Sequence, residues 1–205
     1  MELLKKMMVL TILILSTKAI AQDYNTLQIA FAKSITYETK ADYKNAIEAI
    51  KTVHSSNNYE TNMRLGWLNY LAGNNTDSET YYEKAALLMP ASVEALWGLT
   101  YPLAELKKWS TLSGVYQKIL KLDPKNTTAN YRLGLSAYYS KDYITAKKYF
   151  DVVLGLYPMD YNALLMNGWT NYFIGKKTEA KILFNKVLMV APTDSSAKEG
   201  LALLK

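Results

Sequence analysis

The amino-acid sequence predicts an all-α solenoid in which helical hairpins follow one another along the chain. Four prolines, Pro90, Pro124, Pro158 and Pro192, are separated by 34, 34 and 34 residues. Between them, apolar residues recur at three- and four-residue spacing, as the buried face of a helix requires. A fixed period of this size is typical of stacked supersecondary units, because each unit buries its apolar face against its neighbours.

The prolines also set the limits of the predicted repeats. With each proline at position 32 of its unit, four repeats are predicted at 59–92, 93–126, 127–160 and 161–194. An earlier, shorter repeat at 27–58 lacks the proline and is aligned by Asp42, Tyr43 and Ala46. The final stretch, 195–205, starts one more helix. It is predicted to cap the array, because a solenoid needs a terminal unit with a polar outer face.

Residues 1–21 are predicted to be a secretory signal peptide. Lys5 and Lys6 give a positive start, the run at 7–16 is mostly apolar, and Ala-Ile-Ala at 19–21 fits a cleavage site. The run is too short for a spanning helix, which needs about 20 apolar residues. We therefore expect export to the periplasm or the extracellular space, with a mature single-domain chain at 22–205 and no membrane span. An uncleaved anchor and a buried N-terminal helix are the alternatives.

The charge balance is mild. The chain has 24 Lys and Arg against 18 Asp and Glu, a net charge of +6. Residues 1–21 carry three lysines and one glutamate, a net of +2, so the mature chain carries +6 minus +2, or +4. This small excess argues against a nucleic-acid partner, which would require a strongly basic surface.

Catalytic and metal chemistry have little support in the sequence. There is no cysteine and one histidine, His54, which excludes disulfides, thiolate ligands and a multi-histidine zinc site. No Gly-rich phosphate loop or nucleophile motif is present. Ser55 and Ser56 follow His54 directly, but catalytic groups converge in space and need an orienting partner. The prediction is a protein that is not an enzyme, with no cofactor, no catalytic residue and no metal site.

Residue size follows a pattern within the repeats. Three repeats have glycine at position 8: Gly66, Gly134 and Gly168. Four repeats have a small residue at position 20: Ala46, Ser78, Ala146 and Ala180. All five repeats have a large residue at position 24: Ile50, Tyr82, Tyr116, Phe150 and Phe184. We interpret the small residues as the place where the two helices of a hairpin cross, and the large residue as filling the space toward the next repeat. The third repeat has Thr100 and Leu112 instead, which predicts a wider crossing.

This pattern resembles the tetratricopeptide repeat (TPR) family, whose 34-residue unit ends in Ala, Phe and Pro. The resemblance rests on Leu65-Gly66, Ala146, Phe150 and Pro158 and covers 27–194. It implies a right-handed α-solenoid of about five hairpins that acts as a protein-interaction scaffold or adaptor. One departure is that no repeat has the aromatic residue of position 4.

The resemblance also implies where a binding groove lies. In TPR proteins, positions 2, 5, 9, 12 and 13 of the first helices tend to face the concave side. Carried over to this chain, the partner-binding residues are Met63, Trp67, Tyr70, Trp97, Tyr101, Tyr131, Tyr138, Tyr139, Trp169, Tyr172 and Phe173. Trp and Tyr are common anchors because they offer a large contact area at low rotamer cost. The expected partner is a protein or peptide with apolar anchors; ordinary packing between repeats is the alternative for each ring.

Two further features leave alternatives open. Pro102 lies at position 10 of the third repeat and removes the helical bond to the Gly98 carbonyl. This predicts either an opened helix in the groove or a tolerated bend without a role. Leu203 and Leu204 at the cap suggest a self-assembling envelope protein, a possible homo-oligomer through the cap. The groove aromatics, with Glu94 beside them, suggest a carbohydrate-binding module.

Overall fold

The computed structural model describes residues 24–205, so the predicted signal peptide at 1–21 lies outside the described residues. The described chain is all-α and contains no strand, as predicted. None of its helices combines the length and the apolar content that crossing a bilayer requires. The helices are α1 (24–38), α2 (Tyr43–Lys51), α3 (Tyr59–Leu71), α4 (Asn75–Leu88), α5 (Val93–Glu105), α6 (Trp109–Leu122), α7 (Thr127–Tyr139), α8 (Tyr143–Leu156), α9 (Tyr161–Phe173), α10 (Lys177–Val190) and α11 (Ser195–Ala202).

The helices recur with the period that the prolines show. The odd-numbered helices from α3 to α11 begin at residues 59, 93, 127, 161 and 195, which are 34 apart. The even-numbered helices from α4 to α10 begin at 75, 109, 143 and 177, again 34 apart. Each 34-spaced proline comes two residues after an even-numbered helix ends, where it prevents the helix from continuing.

The chain divides into two compact units. Unit 1 extends to Lys107 and contains α1 to α5, and unit 2 extends from Lys108 to Lys205 and contains α6 to α11. The division falls between the two helices of the third predicted repeat, the one in which Thr100 and Leu112 replace the small pair. The single domain at 22–205 and the wider crossing stay predictions.

Each odd-numbered helix from α3 to α11 begins at a regular N-cap. The side chain of the residue before the helix accepts a hydrogen bond from the backbone N–H three residues later, which satisfies one of the donors that a helix start leaves free. These caps also recur every 34 residues, at Asn58, Ser92, Asn126, Asp160 and Asp194. Each such cap typically stabilises its helix by about 1 kcal/mol.

Asparagine stands at position 4 in two repeats, where the TPR family has an aromatic residue. The buried Asn62 side chain donates to the Asn58 and Ser56 carbonyls at 2.6 and 3.1 Å. Asn130 donates in the same way to the Asn126 and Pro124 carbonyls at 2.8 and 3.1 Å. These amides pair with carbonyls of the loop before the helix, so the repeat is closed by hydrogen bonds where the family uses a ring.

In unit 1 the ring of Tyr82 is buried between helices, with 2% of the residue exposed, and it packs against two glycines. A Cβ atom added at Gly66 would lie 2.8 Å from the Tyr82 ring, and one added at Gly98 would lie 2.1 Å from it. Ser78 at position 20 donates to the Gly66 carbonyl at 2.7 Å. The glycine of position 8 therefore makes room mainly for the ring of position 24, and the residue at position 20 contacts the glycine's backbone.

In unit 2 the same arrangement occurs twice. Phe150 lies against Gly134, where an added Cβ would be 2.6 Å from the ring. Phe184 lies between Gly168 and Gly200, with corresponding distances of 2.7 and 2.4 Å. Both phenylalanines are fully buried. Because Gly200 belongs to α11, the ring of Phe184 joins the last hairpin to the capping helix.

The capping helix α11 buries only part of its apolar surface. Ala197 is buried, and Leu201 and Leu204 pack against the cluster around Phe184. Leu203 is 51% exposed. Of the two leucines proposed as an assembly contact, the structure therefore uses Leu204 in the core of unit 2 and leaves Leu203 in solvent.

Candidate functional site

An open cavity lined mainly by aromatic side chains lies in unit 1, and we call it the aromatic cavity. It has a volume of about 620 Å³. Helices α1, α3, α4 and α5 all contribute to its walls. The lining residues are Phe31, Tyr59, Glu60, Met63, Arg64, Trp67, Tyr82, Glu94, Trp97, Gly98 and Tyr101.

Trp67 is held in place by polar contacts with α1. Its indole Nε1 donates to Glu38 Oε1 at 2.7 Å, and Glu38 also forms an ion pair with Arg64 Nη1 at 2.5 Å. Arg64 Nε and Nη2 donate to the buried Ser34 hydroxyl at 3.1 and 3.0 Å. The charge of Arg64 is therefore neutralised inside unit 1, and the Trp67 ring is fixed before any ligand arrives.

The rings of α3 and α5 contact one another along one wall of the cavity. The centroids of Trp67 and Tyr101 are 6.2 Å apart, and those of Tyr70 and Tyr101 are 5.2 Å apart. Tyr70 does not line the cavity but supports both of these rings, since its centroid is 5.9 Å from that of Trp67. Tyr101 is 46% exposed. The wall thus offers a preformed aromatic surface to solvent.

Tyr82 forms the floor of the cavity. The residue is 2% exposed, and within residues 24–205 its hydroxyl has no hydrogen-bond partner, although its oxygen still reaches solvent. Burial raises the pKa of the Tyr82 phenol well above its usual value, and the nearby Tyr101, Glu94 and Tyr70 raise it further. The phenol is therefore protonated at neutral pH and presents both a donor and an acceptor to a ligand in the cavity.

Two glutamates line the rim. Glu60 lies in the first turn of α3 and Glu94 in the first turn of α5, where the helix dipole favours a negative charge. The Tyr59 hydroxyl donates to Glu94 Oε2 at 3.2 Å and lies 2.8 Å from the Ser92 hydroxyl oxygen. In the described part of the chain, Glu60 forms neither an ion pair nor a hydrogen bond.

Pro102 does not interrupt its helix. Helix α5 is continuous from Val93 to Glu105, and Pro102 is buried within it. Gly98, four residues earlier, lines the cavity and receives no N–H from the proline. The structure therefore shows a continuous helix at Pro102, and not the opened helix that was one of the two interpretations.

The remaining predicted site residues lie in unit 2, where most of them pack on one another. Tyr143 and Phe173 stack with centroids 4.7 Å apart, and Tyr138 lies edge-on to both. Tyr139 and Phe173 are the exposed members. The aromatic cluster of unit 2 comprises Tyr138, Tyr139, Tyr143, Trp169, Tyr172 and Phe173.

Trp169 and Tyr131 have additional packing contacts. The Trp169 indole Nε1 donates to Ser196 Oγ at 2.8 Å, and its ring lies edge-on to Phe184 at 5.2 Å. Trp169 is thereby tied to the capping helix. Tyr131 lies 5.8 Å from Phe150 and lines a second cavity of about 390 Å³. Both rings stabilise the core of unit 2.

His54 has a local structural contact. Its Nδ1 lies 3.1 Å from Thr61 Oγ1, and its ring lies edge-on to Tyr81 at 5.5 Å. Burial lowers the pKa of His54, and the positive charge of Lys84 lowers it further. His54 therefore has a structural role, in which its neutral imidazole connects the loop after α2 to α3.

The structure thus places Met63, Trp67, Trp97 and Tyr101 of the predicted set in one cavity. Sequence reasoning also assigns Phe31, at position 5 of the first repeat, and Arg64, at position 6 of the second, to the groove, and it misses three lining residues. Glu60 holds position 2 of its repeat, as Glu94 does, and that equivalence could have identified it. Tyr59 and Tyr82 had weaker signals: a tyrosine at position 1, and a tyrosine at position 24 where two other repeats have phenylalanine.

No protein-family model matches the sequence, and no curated protein matches it. Solved structures do match. The protein in a crystal structure of MamA protein is 25% identical in sequence to this chain, and the two structures superpose with a TM-score of 0.69. The match covers 80% of this chain and 91% of that one. A TPR protein from Parabacteroides merdae ATCC 43184 is 22% identical with a TM-score of 0.72, covering 88% and 72%. MamA 41-end from Desulfovibrio magneticus RS-1 is 17% identical with a TM-score of 0.67, covering 83% and 97%.

Proposed function

Because the chain has the tetratricopeptide repeat fold, a fold of interaction scaffolds, we propose that it is a non-enzymatic scaffold that binds a peptide segment of a partner protein in the aromatic cavity. The cavity carries this proposal. Its volume of about 620 Å³ lies within the 300–1,000 Å³ range of ordinary ligand pockets, and its lining is mainly apolar with a few polar groups.

The energetic basis of binding is burial of apolar surface on rings that are already ordered. Trp67 is fixed by Glu38, and the centroids of Trp67 and Tyr101 are 6.2 Å apart before binding. Such a surface loses little side-chain entropy when a peptide covers it, so more of the burial energy appears as affinity. Of the two aromatic groups found within residues 24–205, the aromatic cavity supports this role better, because the side chains of the unit 2 cluster mostly pack on one another.

We propose that the scaffold acts outside the cytoplasm. The support is the basic start, the short apolar run and the small residues before Gln22. Because the chain has no cysteine, no disulfide bond contributes to the stability of the fold wherever it resides. N-terminal sequencing of the protein purified from an envelope fraction tests this: a start at Gln22 is expected, and a start at Met1 would contradict it.

The binding proposal predicts a specific loss in the double variant Trp67→Ala with Trp97→Ala. A random peptide library displayed on phage is selected on the wild-type protein, and the enriched peptides are then measured on variants. We expect affinity at least tenfold lower for the double variant, because truncating central aromatic anchors costs about 2 kcal/mol or more. Trp109→Ala is the matched control, since Trp109 is 61% exposed on α6 and lies outside the cavity.

A second variant distinguishes loss of peptide binding from loss of the fold. Tyr101→Ala removes a half-exposed ring of the cavity wall and should weaken the same peptides while leaving far-UV circular dichroism unchanged. Peptides that bind all variants equally well would place the site elsewhere. Failure of the wild-type protein to enrich any peptide would contradict peptide binding.

A further inference from the structure

We propose that the aromatic cavity recognises a cationic side chain, lysine or arginine, in a peptide segment whose neighbouring residues are apolar. This inference rests on the proposed function and names the chemistry of its ligand. The occupant is a basic and apolar segment of a partner protein. Two observations support it: the charges around the cavity, and the unpartnered hydroxyl of Tyr82, a residue that is 2% exposed.

The charges around the cavity have a negative excess. Glu60 and Glu94 line it, and Arg64 is the only cationic residue among its lining residues in the described chain. Arg64 is already paired with Glu38 at 2.5 Å. The two rim carboxylates therefore have no cationic counterpart among the lining residues, and a cation from a ligand would supply it.

The same pairing argues against an acidic ligand. A C-terminal carboxylate or an acidic side chain would need free cationic or N–H donors, and the guanidinium of Arg64 is engaged by Glu38 and Ser34. The anion would also enter beside Glu60 and Glu94. Like charges in a partly desolvated site repel each other, so the cavity discriminates against acidic peptides.

The floor of the cavity supplies an independent indication. Tyr82 is 2% exposed, and its hydroxyl has no partner in the part of the chain that the structure describes. The phenol oxygen therefore keeps an unused acceptor site that faces no other group of the described chain. An ammonium or guanidinium N–H that reaches the floor would donate to this oxygen.

The aromatic walls suit a cation as well as an apolar chain. The faces of Trp and Tyr attract ammonium and guanidinium groups within about 6 Å of the ring centroid. Trp67, Trp97 and Tyr101 line the cavity. The methylene stem of lysine or arginine would cover their apolar surface, and its charged end would reach a rim carboxylate.

Net charge alone does not produce this preference. The whole chain carries +6, so a basic peptide is repelled at long range. Any preference for a basic peptide must come from short-range contacts in the cavity. The local sign is opposite to the global sign, which makes the inference specific to this site.

The test compares three nine-residue peptides with the same alternating leucine and serine frame and a fluorescent label. The central residue is arginine, its neutral isostere citrulline, or glutamate. Fluorescence anisotropy at 50 mM salt, with protein up to 1 mM, gives the dissociation constants. We expect the arginine peptide to bind about tenfold more tightly than the citrulline peptide, and the glutamate peptide to bind most weakly. The preference should shrink at 500 mM salt.

Matched variants locate the preference. Glu60→Gln with Glu94→Gln keeps the shape and the Tyr59 contact but removes both charges, and should reduce the arginine preference to less than threefold. Tyr82→Phe should weaken the arginine peptide more than the citrulline peptide. Glu83→Gln, at an exposed position on α4 outside the cavity, should change nothing.

The outcomes separate the two proposals. Equal binding of the arginine and citrulline peptides would overturn cation recognition and leave peptide binding intact. A preference that persists in the glutamine double variant would also overturn it, since the charges would then act elsewhere. No binding of any peptide up to 1 mM protein, together with no enrichment from the phage library, would overturn the proposed function itself.

Discussion

Replacing Phe184 with alanine is expected to lower the free energy of unfolding of unit 2 by about 3–5 kcal/mol. The ring is fully buried between Gly168 and Gly200, so no side chain at these positions can move in to fill the cavity. The substitution also removes the ring that joins α11 to the last hairpin, which leaves the Trp169–Ser196 hydrogen bond and the smaller apolar contacts. Since domains are stable by about 5–15 kcal/mol, this loss is a large fraction of the total.

Chemical unfolding followed by circular dichroism and by tryptophan fluorescence measures the effect. Trp169 reports on the site directly, because its ring is 5.2 Å from Phe184. Met189→Ala on the same helix is the matched control: Met189 is 74% exposed, and its truncation should cost less than about 0.5 kcal/mol. A loss below about 1 kcal/mol for Phe184→Ala would contradict the described core.

The second large effect is expected for Gly98→Ala. A Cβ at this position would lie 2.1 Å from Tyr82 Cε1 and 2.5 Å from Cδ1, and the buried ring also packs against Gly66. Alanine normally favours a helix over glycine by about 1 kcal/mol, but forced displacement of a packed ring costs about 1–3 kcal/mol or more. We expect a net loss of about 1–3 kcal/mol in the free energy of unfolding of unit 1 and weaker peptide binding.

Two glycines provide the opposite control. Gly114 and Gly155 lie inside helices with nothing within 4 Å of an added Cβ, so Gly114→Ala and Gly155→Ala should stabilise the protein by up to about 1 kcal/mol. If Gly98→Ala also stabilised the protein, that result would contradict the tight contact between position 98 and the Tyr82 ring. The double variant Gly98→Ala with Tyr82→Leu should recover part of the loss, because the smaller side chain leaves space for the methyl group.

Most of the fold could be predicted from the sequence because its signals are local and periodic. Residues equivalent to Pro158 and Phe150 occur in other repeats at multiples of 34 residues. Capping residues equivalent to Asn58 and Asn126 occur with the same period. The role of Gly66 was predicted only in part. Its small size was linked to the crossing of helices, whereas the structure shows that the ring of Tyr82 occupies the space.

The candidate site could be predicted less completely, because it depends on contacts between distant residues. The pairing of Arg64 with Glu38 spans 26 positions and determines that the cavity has no free cation. The regular pattern of the repeats says nothing about such a pair. Trp67 and Trp169 occupy the same position of their repeats, yet one lines a cavity and the other is tied to the capping helix by Ser196.

The most direct test of the central claim, that the aromatic cavity is the peptide site, is a nitrogen–proton NMR titration of the four tryptophan indoles. The chain contains Trp67, Trp97, Trp109 and Trp169, so each signal can be assigned by single substitution. With the arginine-centred nine-residue peptide, saturable shifts are expected at Trp67 and Trp97, while Trp109 and Trp169 stay in place. Shifts confined to Trp169, or no saturable shift at Trp67 and Trp97, would contradict the account.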